Sequence, residues 1–524
     1  MADLLERARS YYERYGLFPL LWRISREPAR RREYLAYDGF ARALAPTAEE
    51  LQRQREYPFK EKPLVTVAVP AYNTPPRYLH ELVDSVLAQS YENWELVIAD
   101  GCSPKEESRE ALRQEAERDG RIRVLFLDTN GGISANTNAA LAAAKGDFIV
   151  FSDHDDLLTP DALYELVRCF RDTQADFVYS DEDKIDEASR RLHTPHFKPD
   201  YSYHYLLCTN YMCHISAVRR AKLAEVGPLD PAFDGSQDHD FNLRCAERGL
   251  KIVHIPKVLY HWRYFRRSVS NTAGEKCADA ARDLVQRHLD RCGIPAKAER
   301  ARIGNCVRYR LQGRPLVSVV TSGDAEPLLA KTDYKNLELC ASPAEAKGEY
   351  LLFLSEGILP EEGAWLETLL AAAQQKGVSG VSGRLESANG RISYVGAYFA
   401  GGKLVYPYYD LPNNELGYMI RNLCTHEVGA LCPEFCLVRS GEFRASGASD
   451  PIEFSLRAPG VCLYLPHVLA RRGGKNPAVP AGQDRAYAPP FAEDPTYSPN
   501  LSRSAPYLLR RELQENRKGK HPLC

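Results

Sequence analysis

The stretch "DFIVFSDHDDLL" (residues 147–158) joins a short apolar run to a turn that carries three carboxylates and a histidine. The apolar run is typical of a buried strand. Asp153, Asp155 and Asp156 follow it directly, and like charges held this close repel one another. The turn therefore predicts a positively charged ligand at the end of the strand. An alternative remains open, in which Asp155 or Asp156 caps a helix formed by "DDLLTPDALYELV".

Strand and helix patterns alternate on the N-terminal side of this turn. The strand patterns are "PLVTVAVPAYN" (63–73), "WELVIADG" (94–101) and "RIRVLFLD" (121–128), and the helix patterns are "RYLHELVDSVLAQSY" (77–91) and "NGGISANTNAALAAAKG" (130–146). This alternation predicts an α/β domain with a parallel sheet. Ligands of such sheets bind just beyond the carboxyl ends of the strands. Pro70 to Asn73, Asp100 and Asp153 all follow strand ends, so we expect them on one rim.

The bulk composition limits the class of protein. A length of 524 residues predicts two or more domains, and 44 % hydrophobic with 26 % charged residues is typical of a globular protein. A formal net charge of −2 favours neither nucleic acid nor an anionic membrane as a partner. The charged opening "MADLLERARS" is not a secretory signal, and no apolar run approaches the ~20 residues that cross a bilayer. We therefore expect a cytoplasmic protein whose fourteen cysteines are mainly buried thiols.

Residues 1–60 mix arginines with aromatic residues at helical spacing. A basic amphipathic segment of this kind can lie on an anionic membrane surface. We favour a helical segment and linker packed on the catalytic domain, and leave open a peripheral contact with the inner face of the membrane.

Three ordered segments resemble one family. They are "PLVTVAVPAYNTPPRYLHELVDSVLAQSYENWELVIADGCS" (63–103), "NGGISANTNAALAAAKGDFIVFSDHDDLLTPDAL" (130–163) and "GSQDHDFNLRCAERG" (235–249). Together they resemble the family 2 glycosyltransferases with the GT-A fold. The segment "FKPDYSYHYLLCTNYMCHISAVRR" (197–220) most resembles bacterial polysaccharide and rhamnan-type transferases. The resemblance implies a nucleotide-diphosphate sugar donor, UDP- or dTDP-linked, and a hydroxyl acceptor on a growing surface or capsular glycan, free or lipid-linked.

The resemblance also implies roles for individual residues. Asp153 and Asp155 resemble the DxD pair that holds Mn²⁺ or Mg²⁺ on the diphosphate, and His261 resembles a further metal ligand. Asp238 resembles the catalytic base, with Gln237 where the family commonly has Glu. The implied donor-binding residues are Pro70, Ala71, Tyr72, Asn73, Asp100, Gly132, Asn136, Asp153, His154, Arg263 and Arg266.

Sugar transfer explains why these residue types are needed. A metal neutralises the charge that grows on the leaving diphosphate, and Arg263, Arg266 and Arg267 on a mobile loop would add positive charge. A carboxylate base takes the proton of the acceptor hydroxyl, and a base opposite the leaving group inverts the anomeric centre. Structural alternatives stay open at this point: Asp238 as a helix cap, His261 as a core histidine, and solvated arginines.

The C-terminal half repeats the N-terminal half. "PLVSVVTSGD" (315–324) repeats "PLVTVAVPAY" (63–72), and "AKGEYLLFLSEGILPEE" (346–362) repeats "AKGDFIVFSDHDDLLTP" (144–160). Such self-similarity indicates a duplicated domain. The candidate chemical residues are replaced in the second copy: Asp100 by Pro343, Asp153 by Ser355, Asp155 by Gly357, Asp238 by Pro451 and His261 by Arg471. Because the apolar strand positions persist, a ligand explains the acidic turn better than architecture does.

We therefore predict a GT-A domain at 61–300 and a degenerate GT-A-like α/β domain at 313–475. The helical segment 1–60 precedes them, and a Pro- and Gly-rich tail at 476–524 follows. The predicted function is an inverting, metal-dependent glycosyltransferase, with self-association left open. The alternatives are a catalytically silent glycan-binding scaffold and a sugar-phosphate nucleotidylyltransferase. The latter needs a glycine-rich basic loop after the first strand, and "PAYNTPP" has none.

Overall fold

The computed structural model describes residues 35–265, 274–321, 323, 330–361, 363–502 and 508–514. Within these, the first unit comprises residues 41–308 and the second unit comprises residues 35–40 and 309–514. The predicted N-terminal helical segment is described in part, as a helix over residues 35–44 and helix α1 (Ala48–Arg55). Thr47 and Glu50 form a capping box at the start of α1. The arginine- and aromatic-rich part of that segment lies outside the described residues.

The first unit alternates helices with strands, as the sequence pattern predicts. Its further helices are α2 (Pro76–Leu87), α3 (Glu106–Arg118), α4 (Ile133–Ala143), α5 (Ala162–Thr173), α6 (Tyr203–Cys208), α7 (Arg220–Val226), α8 (Gln237–Glu247) and α9 (Gly274–Arg291). Its strands are β1 (Val65–Ala71), β2 (Trp94–Asp100), β3 (Ile122–Phe126), β4 (Phe148–Phe151), β5 (Leu157–Leu158), β6 (Phe177–Asp186), β7 (Leu192–His196), β8 (Ser216–Arg219), β9 (Ile252–Tyr264), β10 (Ala296–Arg300) and β11 (Asn305–Tyr309).

The main sheet of the first unit has the strand order β3-β2-β1-β4-β8-β6-β9-β5, and β7 pairs with β6. Strands β1, β2, β3, β4, β6 and β9 run in one direction, whereas β5, β7 and β8 run in the other. Every residue of β1 and β2 is buried, which explains their continuous apolar runs. The prediction of an α/β fold with a central, mostly parallel sheet is confirmed.

The second unit has a sheet of the same strand order. Its elements are β12 (Val317–Val320), β13 (Leu337–Cys340), β14 (Tyr350–Leu354), β15 (Ile358–Pro360), α10 (Trp365–Ala373), β16 (Val378–Ser387), β17 (Ile392–Tyr394), β18 (Tyr398–Ala400), β19 (Lys403–Val405), β20 (His426–Glu427), β21 (Phe435–Arg439), α11 (Ser440–Ser446), α12 (Pro451–Arg457) and β22 (Val461–Arg472). The order β13-β12-β14-β21-β16-β22-β15 repeats β2-β1-β4-β8-β6-β9-β5 strand for strand. Residues 341–349 connect β13 to β14 without a helix, where the first unit has β3 and α4.

A buried polar network ties β1 to β2 in the first unit. The Thr66 hydroxyl donates to Glu95 Oε1 at 2.6 Å and accepts from the Gly146 backbone N–H at 2.9 Å. The Lys145 backbone N–H also donates to Glu95 Oε1, at 2.6 Å. Burial alone would raise the pKa of Glu95, but these hydrogen bonds outweigh it and lower the pKa. The network therefore depends on an ionised Glu95.

The second unit contains the same network at equivalent positions. The Ser318 hydroxyl donates to Glu338 and accepts from the Gly348 backbone N–H at 2.8 Å, and the Lys347 backbone N–H donates to Glu338. Polar groups that serve the fold thus survive in both copies. The contrast with the lost carboxylates of the acidic turn supports a ligand-related role for the latter.

The glutamate of this network should stabilise the first unit. We expect Glu95→Ala to lower the free energy of unfolding by about 1–3 kcal/mol, because it leaves the Thr66 hydroxyl and the Lys145 N–H buried without an acceptor. Since the folded-state pKa lies below the ordinary value of about 4.3, this contribution is present above that pH and is lost as the pH falls through the folded-state pKa. Denaturant unfolding at pH 7 and pH 3 checks this. The exposed Glu92→Ala is the control, and equal stability of both variants at pH 7 would contradict it.

Candidate active site

The ends of three strands form the rim that the sequence predicts. In the parallel pair β1–β2, Ala71 lies opposite Asp100, and β4 ends at Phe151, just before Asp153. A cavity at this rim is lined by Pro70, Asp153 and Asp238, among other residues. Residues that are far apart in the sequence, and for which different roles are predicted, thus face the same space.

Asp100 shapes the part of the rim where the nucleoside is predicted. Its carboxylate is fully buried and accepts hydrogen bonds from the Ser103 backbone N–H, at 3.1 Å, and from the Ser103 hydroxyl. The same hydroxyl accepts from the Asn73 backbone N–H at 2.7 Å. Ser103 therefore ties the ends of β1 and β2 together. Tyr72, beside this junction, is 42 % exposed and offers an aromatic face to a ligand.

The start of α4 closes the rim near Asp100. Asn136 is buried and donates to Asn130 Oδ1 at 3.1 Å, while its own Oδ1 has no partner among the described residues. A Cβ at Gly101 would overlap the Asn136 side chain. Gly132 has a φ of +90°, and a Cβ there would overlap the Asp234 carboxylate. Both glycines therefore permit a close approach of backbone, and Asn136 keeps a buried acceptor available to a ligand.

The three aspartates of the acidic turn have different environments. Asp156 is fully buried and accepts from the Tyr260 hydroxyl and the Arg263 backbone N–H, both at 2.7 Å. Asp155 is half-buried, and its carboxylate has no hydrogen bond or ion pair within the described part of the chain. Asp153 is half-buried as well, and burial raises its pKa despite the positive charge of His214. One aspartate thus holds the turn on β9, and two remain for a ligand.

The helix-cap alternative for this turn is excluded, since α5 begins only at Ala162 and its N-cap residue is Asp161. Asp153 and Asp155 are separated by one residue in the sequence. The Asp155 carboxylate has no hydrogen bond or ion pair among the described residues. Hard oxygen ligands of this kind fit Mg²⁺ or Mn²⁺, which take one or two carboxylates together with substrate phosphates. The residues present therefore fit the predicted metal.

His261 lies in β9, opposite Leu157 of β5 and Asp183 of β6. Its Nδ1 is 2.5 Å from Asp183 Oδ1. Burial disfavours the charged imidazole, but the Asp183 carboxylate outweighs this effect and raises the pKa of His261. Within the described residues, the donor atoms of Asp153, Asp155 and His261 do not gather into one cluster of mutual distances below 4.8 Å. The role of His261 as a metal ligand stays a prediction.

Arg263 lies in a strand and not in the loop where it was expected. It lies inside β9, and only 1 % of its surface is exposed. Its guanidinium forms an ion pair with Glu81 at 2.7 Å and donates to the Ser189 hydroxyl and the Asp155 carbonyl oxygen. The expectation of a mobile, solvated arginine is therefore wrong for this position, because β9 extends to Tyr264. Arg266 and Arg267 lie outside the described residues.

His154 stands between the two ligand-facing aspartates of the turn and is half-buried. Its Nδ1 is buried and has no hydrogen-bond partner among the residues that the structure describes. Such a group is a candidate for contact with a bound phosphate, as predicted for donor binding.

Asp238 lies in the first turn of α8 and faces the cavity. Asn210 Nδ2 donates to its Oδ2 at 2.8 Å, and the His239 backbone N–H donates to its Oδ1 at 2.9 Å. The N-cap residue of α8 is Ser236, so the capping alternative does not account for Asp238. Asp240, two residues further along α8, is buried, and its Oδ2 forms an ion pair with Arg244 Nε at 2.8 Å. The two aspartates of this helix therefore have different roles.

Sequence reasoning missed the groups that lie between Asp153 and Asp238. His214 Nε2 is 3.7 Å from Asp153 Oδ2, and its Nδ1 is 3.2 Å from Glu182 Oε2. Burial opposes the charged imidazole, but the hydrogen bond with Glu182 and the negative charges of Glu182, Asp153 and Asp156 together outweigh it and raise the pKa of His214 to about 9. Cys213 and Asn210 also adjoin Asp238. The available signal was their common position in "CTNYMCH", inside the segment that resembles rhamnan-type transferases.

Strand register supports the comparison of the two copies at His261. In the first unit, Leu157 of β5 lies opposite His261, and in the second unit Leu359 of β15 lies opposite Arg471. The neighbouring strand places Glu386 beside Arg471, at an Nη2–Oε2 distance of 3.8 Å. An arginine therefore replaces the histidine at the same point of the sheet.

Comparisons with known proteins relate the chain to one family. Residues 66–227 match the model described as glycosyl transferase family 2. The uncharacterized protein y4gI of Sinorhizobium fredii is 32 % identical over 482 residues, which cover 81 % of this chain and 52 % of that protein. The O-antigen biosynthesis protein RfbC of Myxococcus xanthus is 30 % identical over 437 residues, which cover 72 % of this chain and 34 % of that protein. The chain thus spans a third to about half of the length of these relatives.

A solved structure gives a weaker match. The crystal structure of S. aureus TarS 1–349 in complex with UDP is 21 % identical and covers 43 % of this chain and 65 % of that chain, with a TM-score of 0.33. This similarity adds nothing to the assignment of the site.

Among the helices that the structure describes, none is both long enough and apolar enough to span a bilayer.

Proposed function

Through residues 66–227 the chain belongs to glycosyl transferase family 2, and on that premise we propose that it transfers a sugar from a nucleotide-diphosphate donor to a glycan hydroxyl. The observation that carries the proposal is the cavity shared by Asp153, from the acidic turn, and Asp238, from α8. The proposed diphosphate ligand and the proposed base therefore line one space, in which a donor sugar would meet an acceptor hydroxyl. The reaction proposed is a metal-dependent single displacement that inverts the anomeric centre.

The donor side of the cavity is the rim of β1, β2 and β4. Asp153 and Asp155 would hold a divalent cation, which when bound neutralises the charge that develops on the leaving diphosphate. Tyr72, Asp100 and Asn136 stand where the nucleoside, from a UDP- or dTDP-linked sugar, would lie. The buried Asn136 Oδ1, which has no hydrogen-bond partner among the described residues, supports this placement.

The acceptor side is the start of α8. Asp238 would accept the proton of the acceptor hydroxyl as that oxygen attacks the anomeric carbon. Hydrogen bonds from Asn210 and from the His239 N–H leave its carboxylate held in one orientation at the cavity wall. With Asp238 on the side of the sugar opposite the diphosphate, attack would invert the anomeric centre.

The name of one relative supports a proposed acceptor class. The name of the Myxococcus xanthus protein concerns O-antigen biosynthesis, which supports a bacterial surface glycan as the acceptor. The second unit carries Ser355 and Gly357 in place of the DxD aspartates, so we assign the chemistry to the first unit alone. The domain boundaries and the cytoplasmic location given above stay predictions.

A thermal-shift screen of nucleotide-diphosphate sugars, with and without Mn²⁺, tests the donor assignment, because a ligand of the folded state stabilises it by mass action. We expect the melting temperature to rise with a UDP- or dTDP-sugar only when Mn²⁺ is present. Asp153→Asn should abolish that rise. A shift of equal size without any divalent ion, or no shift with any sugar nucleotide, would contradict the proposal.

Asn210 should position the proposed base. We expect Asn210→Ala to lower kcat about tenfold or more, because it removes a hydrogen bond to a charged group. Donor affinity should not change. Asn93→Ala, which removes a hydrogen bond to the Lys62 carbonyl, is the control. A lower melting temperature with an unchanged kcat would indicate a purely structural role for Asn210.

A further inference from the structure

A second set of metal-ligating groups lies beside the acidic turn. The Cys213 thiol, the His214 imidazole and the Asp238 carboxylate each offer one ligand atom, and these atoms lie within 4.8 Å of one another. The three side chains are half-buried and line the same cavity. An ion at their centre would therefore be reachable from solvent through the cavity.

The chemistry of this set differs from that of Asp153 and Asp155. A thiolate and an imidazole favour a borderline ion such as Zn²⁺, whereas Mg²⁺ takes oxygen ligands. Three protein ligands with a fourth position open to the cavity match the ligand number of accessible zinc sites. The composition therefore selects a different ion from the one expected at the acidic turn.

The imidazole is held as metal-ligating histidines usually are. His214 Nδ1 lies 3.2 Å from Glu182 Oε2, and Glu182 is itself buried and adjoins the Lys198 ammonium at 3.7 Å. This contact leaves Nε2 to face the cavity, on the side of Asp153. A carboxylate behind a ligating histidine fixes the orientation of the ring. The arrangement gives an observation independent of the distances among the three ligand atoms.

We propose that Cys213, His214 and Asp238 bind a zinc-class divalent ion, and that this ion inhibits sugar transfer. Binding replaces the Cys213 thiol proton with a sulfur–metal bond and the proton at His214 Nε2 with a nitrogen–metal bond, and both protons pass to solvent. The Asp238 carboxylate then coordinates the ion and no longer accepts a proton from the acceptor hydroxyl. The inhibition rests on the proposed function of Asp238, whereas the metal site itself does not.

Cobalt provides a direct probe of the thiolate ligand. Co²⁺ added alone to the full chain, without nucleotide or acceptor, should produce a sulfur-to-cobalt charge-transfer absorption band, and added Zn²⁺ should remove it. The oxygen ligands of the acidic turn cannot produce this band. We expect Cys213→Ser to abolish it and His214→Gln to weaken cobalt binding at least tenfold.

Another thiol-containing cluster supplies the matched control. Glu247, His288 and Cys292 also lie within 4.8 Å of one another, but Arg291 already pairs with Glu247 through both carboxylate oxygens. Cys292→Ser should leave the band unchanged. A band that survives Cys213→Ser, or that disappears with Cys292→Ser, would overturn the proposed site. His214→Gln provides a second variant if Cys213→Ser does not fold.

Inhibition is measured separately, on the transferase reaction with Mn²⁺ in excess. We expect Zn²⁺ to inhibit the wild-type chain and to inhibit Cys213→Ser at least tenfold more weakly, with each chain compared with its own activity in the absence of Zn²⁺. A cobalt band without zinc inhibition would retain the metal site and overturn the role of Asp238 in catalysis. Inhibition of equal strength in both chains, without a band, would overturn the site and leave the proposed function standing.

Discussion

Asp238→Asn should reduce kcat by about 10²–10⁴-fold, because the amide cannot take the proton of the acceptor hydroxyl. Donor affinity should stay at the wild-type level, since the role proposed for Asp238 concerns the acceptor hydroxyl and not the donor. The melting temperature should change little, because the side chain is half-buried and the asparagine retains an oxygen that can accept from Asn210. Single-turnover kinetics, together with isothermal titration of the donor in Mn²⁺, measures the two effects separately.

The neighbouring Asp240 provides a matched control on the same helix. Its carboxylate is buried and paired with Arg244 at 2.8 Å, so Asp240→Asn should lower the melting temperature. The remaining folded protein should keep its kcat. If Asp238→Asn retains full activity, another residue is the base, and if Asp240→Asn alone stops transfer, the roles of the two aspartates are reversed.

Asp155→Ala should abolish divalent-dependent turnover and Mn²⁺-dependent donor binding without loss of stability. Its carboxylate has no hydrogen bond or ion pair among the described residues, so truncation leaves no group unsatisfied, and it relieves repulsion between like charges. Electron paramagnetic resonance of Mn²⁺ counts the bound ions directly. Denaturant unfolding of the metal-free protein measures the stability.

Asp156→Asn, at the next residue, should lower the stability of the protein and leave Mn²⁺ binding intact. Asp156 accepts from the Tyr260 hydroxyl and the Arg263 backbone N–H, and the amide can satisfy only one of these donors well. We expect a loss of about 1–3 kcal/mol in the free energy of unfolding, with Mn²⁺ still bound by the folded protein. Equal behaviour of the two variants in both measurements would contradict the division of the acidic turn into ligand-facing and structural carboxylates.

The rim of the site was predictable because it follows from a local pattern. Apolar runs that end at Asn73, Asp100 and Asp153 predict parallel strands, and the carboxyl ends of parallel strands meet at one edge. The role of Asp156 was not predictable in this way. Its partner Tyr260 lies 104 residues away in the sequence, and only the folded sheet shows that the hydroxyl reaches it.

Two further differences have physical reasons. Arg263 was expected on a mobile loop, whereas β9 continues to Tyr264 and buries the guanidinium against Glu81. His214 stood in no periodic pattern and next to a cysteine that was interpreted as a core thiol. Its contact with Glu182 depends on the pairing of β6 with β8, which the sequence alone does not specify.

The second unit clarifies which polar residues serve the fold. The networks of Glu95 and Glu338 are equivalent, although the two copies differ at every proposed catalytic position. Where the first unit places His261 beside Asp183, the second places Arg471 beside Glu386. A permanently charged arginine compensates its glutamate without any metal. We therefore expect the second unit to bind no Mn²⁺.

Anomalous diffraction at the manganese edge, from crystals grown with Mn²⁺ and a nucleoside diphosphate, tests the central claim most directly. We predict one peak at coordination distance from a carboxylate oxygen of Asp153 or Asp155 and from the diphosphate. A bound nucleotide with its manganese elsewhere, or with no manganese at the acidic turn, would contradict the account.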